Sequence, residues 1–75
     1  MSSPDARSLP LIAGERRALG LSARGLVVAE VAEATGTSPG RVRMLLASAI
    51  VKLGARSKLE AVVLAARRGE LELSP

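Results

Sequence analysis

Apolar residues recur along this chain at three- and four-residue spacing, in four blocks separated by glycine-bearing turns. That rhythm predicts helices rather than strands. The first block spans Leu11 to Ala23, with Leu11, Ile12, Ala18, Leu19 and Leu21 apolar. Gly14 and Gly20 weaken it, each by about 0.5–1 kcal/mol relative to Ala, and Arg24-Gly25 ends it. The second block, about Val27 to Thr35, carries Val28, Val31, Ala32 and Thr35 on one stripe. Gly36 closes it. Ser38-Pro39 then supplies a cap and a first-turn proline for the third helix, about Pro39 to Leu53. Its buried stripe is Val42, Leu46, Ala49, Ile50 and Leu53, and Gly54 stops it. Ser57 caps a fourth helix, about Lys58 to Arg68, with Glu60 placed to complete a capping box. Ala61, Val62 and Ala65 face the core there, and Gly69 ends the block.

The β-branched residues never alternate with polar ones over a strand length, so the fold class is all-α: a compact, tetrahelical four-helix domain. Residues 1–10 hold two prolines and three serines without periodicity, and read as a flexible N-terminal arm before a domain over 11–75. At 75 residues this is one domain near the lower size limit, where folding buries only about 60% of the extended chain's surface. Aromatic residues are absent although 48% of the chain is hydrophobic. The core must therefore come from Leu, Val, Ile and Ala, which suits close helix packing.

Composition removes several function classes. With no cysteine and no histidine, the chain lacks thiolate and imidazole metal ligands, disulfides and the commonest general base. No base stands near a Ser or Thr in the sequence, the acidic residues are expected among basic ones on helix surfaces, and no glycine-rich phosphate loop follows a strand. No catalytic residue, metal or cofactor is expected. No apolar run approaches the roughly 18 residues of a membrane span, and Met1-Ser2-Ser3-Pro4-Asp5 lacks the order of a signal peptide. The expected location is the cytoplasm, with no membrane partner. The net charge of +4 fits a nucleic acid, and equally an acidic protein.

From Gly25 to Gly54 the chain has the layout of a helix-turn-helix: a short helix, a tight Gly-containing turn, and a second helix with arginines in its first turn. The residues around it sharpen this. Glu15-Arg16, Leu19 and Leu21 precede Gly25-Leu26 and Glu30-Val31-Ala32-Glu33. Gly36, Ser38-Pro39-Gly40 and Val42-Arg43 mark the turn, and Lys52-Leu53-Gly54, Arg56-Ser57-Lys58 and Glu60-Ala61-Val62 follow. In this order the chain resembles the DNA-binding domain of the LuxR/GerE family, also found at the end of NarL-type response regulators, over about Leu11 to Leu71. The resemblance implies a transcription regulator whose third helix reads double-stranded DNA and whose fourth forms a homodimer. Relatives commonly carry a sensor or receiver domain; without one, this chain is expected to be a single-domain member.

By helical geometry Arg43, Met44, Ala47 and Val51 share a face opposite the buried stripe. The resemblance turns Arg43, Met44 and Ala47 toward the major groove. Arg43 is the one long donor among them, suited to bidentate contact with guanine, while Met44 and Ala47 can meet only thymine methyls. Ser48 stands where relatives have Asn. Arg41, Lys52, Arg56 and Lys58 are candidate phosphate contacts. On the fourth helix, Val63, Leu64 and Arg67 are expected outward, as a two-fold seam.

The departures matter as much. Relatives commonly carry Ser-Asn-Lys where this chain has Val27-Val28-Ala29, His where it has Leu45, and a Thr-Pro cap where it has Ile12-Ala13. Losing about three phosphate contacts lowers affinity and flattens its salt dependence. Val27, Val28, Leu45 and Val51, with Met44, would alternatively form an apolar patch for a protein partner, although Leu45 has an inward orientation open to it beside Leu46. The second reading is thus a helix-turn-helix that has given up most DNA contacts and binds or sequesters a protein. A piece of a longer regulator is the third.

Overall fold

A computed structural model of the chain describes residues 10–71, which fold into four helices with no strand among them. They are α1 (Ala13–Ala23), α2 (Val28–Thr35), α3 (Pro39–Leu53) and α4 (Lys58–Arg67). The expected arm over residues 1–10 lies outside the described residues except for Pro10, as does the chain after Leu71.

Local chemistry sets the boundaries. Gly36 (φ 69°) and Gly54 (φ 66°) end α2 and α3 in the left-handed conformation, where a Cβ would be strained. The chain turns back each time through a further backbone bond, Thr37 N–H to Ala32 O (2.9 Å) and Ala55 N–H to Ile50 O (3.0 Å). Ser38 Oγ accepts from Arg41 N–H at 3.1 Å, with Pro39 at the first helical position, so α3 starts where the Ser-Pro pair predicts. Ser57 caps α4 by accepting from Glu60 N–H at 3.1 Å. The expected box closes one residue further upstream: Glu60 Oε1 takes the N–H of Arg56 at 2.9 Å.

Leu19, Val31 and Val42 fill the centre, closed by Ala18, Ala32, Ala49, Ala61 and Ala65. With methyl groups at so many contacts, four short helices approach closely without an aromatic residue. α3 packs against all three other helices, as does α1, whereas α2 and α4 do not touch. The third helix is therefore held along its inner side and bare along its outer one. The two ends of the domain are tied by Leu11 N–H donating to Glu70 Oε1 at 2.8 Å, with Glu70 paired to Arg68 at 2.6 Å.

Three expectations fail here for physical reasons. The first helix, expected from Leu11, begins at Ala13: Ile12 sits at the cap position in extended backbone and is 52% exposed. Leu64, expected outward on α4, is half-buried against the core, while Leu59 is 75% exposed. Most consequentially, the acidic residues do not all lie on helix surfaces. Glu15 is 2% exposed.

Candidate nucleic-acid interface

The outer face of α3 is built by its inner one. Burial of Val42, Leu46, Ala49 and Leu53 fixes the helix's rotation, and Arg41, Arg43, Met44, Ala47 and Val51 are then left exposed along the opposite side. Met44 and Val51 are 64% and 56% exposed. Arg41 stands in the first turn, beside N–H groups at the positive end of the helix. A cation there is unfavourable by about 0.3–1 kcal/mol unless an anion joins it.

Ser48 and Lys52 behave differently. Both are half-buried, and both reach back to Glu15 on α1. Ser48 Oγ donates to Glu15 Oε2 at 2.5 Å, and Lys52 Nζ to Oε1 at 2.9 Å. Ile12 N–H donates to the same Oε1 at 2.8 Å, which caps α1 without a capping side chain on Ile12. One carboxylate thus ends one helix and pins the middle and last turn of another. Burial alone pushes its pKa up. The hydrogen bonds from Ser48, Lys52 and Ile12, with the Lys52 charge, outweigh that and hold Glu15 below its ordinary value. A glutamate three residues past the α1 cap was the available signal. That spacing announces a capping role, whereas the partners on α3 lie 33 and 37 residues away.

Arg56, in the α3–α4 turn, and Lys58, the first residue of α4, are exposed, so the candidate cations fall at both ends of α3. Of the apolar residues considered for a partner patch, Val27 (60%) and Val51 are exposed. Val28 and Leu45 are half-buried and packed on the core. Leu45 takes the inward orientation, and it lies so near Gly14 that a Cβ there would come within 3.3 Å of its Cδ2. On α4, Val63 and Arg67 are exposed as expected, and Leu59, four residues before Val63, extends that stripe.

No protein-family model and no curated protein matches the chain. Among solved structures it is similar to the transcription factor GerE, with a TM-score of 0.79 and 28% identity, over 85% of this chain and 96% of that one. The fold is a GerE-like helix-turn-helix. Coverage of nearly all of GerE means that the match includes the whole tetrahelical unit and not the turn alone. At 28% identity most side chains of the GerE-type domain differ, so its contact residues have to be read from its own surface. No helix among the described residues is long and apolar enough to cross a membrane.

Proposed function

We propose that this chain is a DNA-binding transcription regulator that lays α3 in the major groove and acts as a homodimer. The likeness to GerE, a transcription factor, supports the regulator reading. The observation that carries it is the arginine-bearing outer face of α3, exposed because the other face is the core. Arg43 is the base reader, with Met44 and Ala47 against thymine methyls. Arg41, Arg56 and Lys58 take phosphates. Lys52 has donors left beyond the one held by Glu15, and Ser48 stays turned to Glu15, so these two contribute less than their positions promise. Catalysis has no part in this reading.

Anisotropy of a labelled DNA duplex over a salt series tests it. Binding at about 50 mM salt that weakens steeply as salt rises is expected; no binding under that condition overturns the proposal. A second reading, a protein-interaction module that has lost DNA, is favoured by the exposure of Val27, Met44 and Val51, and that negative result is the one it requires.

The dimer seam assigned to α4 runs through Leu59 and Val63, with Arg67 beside it and Leu64 beneath. Two neighbouring apolar side chains on an exposed face suit an isologous contact. Leu59→Glu with Val63→Glu should leave the fold intact, because both residues are exposed, and should shift sedimentation to the monomer. A dimer that survives both substitutions rules this seam out.

A further inference from the structure

We propose that the groove between the start of α1 and the α2–α3 turn docks an acidic, aliphatic segment of a partner protein, and that this partner excludes DNA from Arg41. The groove is open to solvent and holds about 270 Å³. Ile12, Gly14, Ala18 and Leu45 form its apolar part, with Arg17 and Arg41 among its polar lining. That is room for a leucine-sized side chain with a carboxylate beside it.

The charge argues for the sign of the occupant. Arg17 and Arg41 are exposed, and neither has an ion-pair partner among the described residues. No acidic residue lines the groove. The nearest carboxylate in sequence, Glu15, is buried and saturated by Ile12, Ser48 and Lys52. Two guanidinium groups on one cleft, without an ion pair among the described residues, favour a carboxylate-bearing ligand.

Ile12 argues for its aliphatic part. A helix cap position favours Ser, Thr, Asp or Asn, whose side chains accept a first-turn N–H. Isoleucine forgoes that bond and exposes half its surface to water. Both losses are offset if another apolar group covers Ile12. Gly14 keeps the cleft open beside it, since any side chain there would push on Leu45. A phosphate backbone would satisfy the arginines and leave the apolar wall wet. An acidic aliphatic segment satisfies both.

Arg41 belongs to the groove and to the outer face of α3 alike. A carboxylate on Arg41 removes a candidate phosphate contact, so partner and DNA weaken one another reciprocally. This exclusion rests on the DNA-binding reading; the docking does not.

Amide chemical shifts of the isotope-labelled full chain test the proposal, with acetyl-Asp-Leu-Leu-Asp-amide as probe and acetyl-Lys-Leu-Leu-Lys-amide as its reverse. Saturable shifts at Gly14, Thr37 and Leu45 are expected with the acidic peptide up to about 5 mM, and none with the basic one. Arg41→Glu should weaken the acidic peptide by about tenfold. Ile12→Ser, which supplies a better helix cap and therefore folds, should weaken it as well. No shift, or equal shifts from both peptides, overturns the docking. So does a response of the same amides to inorganic phosphate without one to the acidic peptide. In competition, the acidic peptide should release bound duplex; simultaneous binding of both overturns the exclusion alone. A chain that binds the peptide and never binds DNA leaves the docking standing and rejects the regulator.

Discussion

Glu15→Ala is expected to lower the stability of this domain by about 3–5 kcal/mol, the usual penalty for breaking a buried charge pair from one side. Three donors lose their acceptor at once: the α1 cap N–H of Ile12, the hydroxyl of Ser48 and the ammonium of Lys52. A chain of this size has about 4–11 kcal/mol in total by the common per-residue range, so much of the population unfolds. Glu15→Gln separates charge from shape. The amide oxygen keeps an acceptor for one or two of these donors, and Lys52, 18% exposed, regains some water. Its cost is about 1–2 kcal/mol, read as a melting temperature lower by roughly 4–8 °C per kcal/mol. Urea or thermal unfolding at neutral pH checks both. Glu15→Gln within about 0.5 kcal/mol of wild type would mean that the carboxylate's charge is not stabilising.

Acid gives an independent check with a definite sign. Glu15 has its folded pKa below its ordinary value. Its contribution is therefore fully present above the ordinary glutamate range, near pH 4.3, and is lost as pH falls through the lowered folded value. Wild type should lose stability more steeply than Glu15→Gln on acidification, so that the two converge. The same geometry reassigns Lys52. Lys52→Ala strands a buried carboxylate, so a loss of DNA binding in that variant would mix a missing phosphate contact with a weakened fold. Lys58→Ala is the cleaner probe of backbone contact, because Lys58 is exposed and appears in no ion pair among the described residues.

What the sequence revealed follows the range of the forces involved. Ser38-Pro39, Gly36 and Gly54 act within a turn or two of themselves, and α3 runs from Pro39 to Leu53 in the structure as the pattern predicts. Of the expected stripe, Val42, Leu46, Ala49 and Leu53 are buried for the same local reason, and Ile50 is half-buried at its edge. Rotation of a helix about its axis beyond the clear stripe depends on neighbours, and there the pattern misplaces residues. Leu64, expected outward, is half-buried because α4 is docked by its alanines, Ala61 and Ala65, and two methyl groups leave that rotation weakly marked. Leu45 turns inward because Gly14, distant in sequence, offers no side chain in its way. Glu15 is the clearest case. Its role in capping is written three residues away, and its role in holding α3 is written only in the tertiary fold. For the outer face, exposure was legible and the binding chemistry of each residue was not.

The double substitution Arg41→Ala with Arg43→Ala is expected to weaken duplex binding by about a hundredfold at moderate salt, and its two halves should separate by kind. Arg43 is assigned to a base edge, where a bidentate contact is worth about 1–3 kcal/mol of discrimination. Arg43→Ala should therefore flatten preference among sequences with little change in salt dependence. Arg41 is assigned to phosphate, so Arg41→Ala should weaken all duplexes alike and reduce the slope of log affinity against log salt by about one. Unfolding does not explain either loss. Both side chains are exposed, and removing the Arg41 cation relieves its conflict with the positive end of α3, which favours the fold by about 0.3–1 kcal/mol. The backbone cap from Ser38 to the N–H of residue 41 is untouched. Melting of each single variant, at or slightly above wild type for Arg41→Ala, is the control. Equal effects of the two single substitutions on sequence preference and on salt slope would reject the assignment of α3 to the major groove. A double variant that binds as tightly as wild type would remove its outer face from the DNA contact altogether.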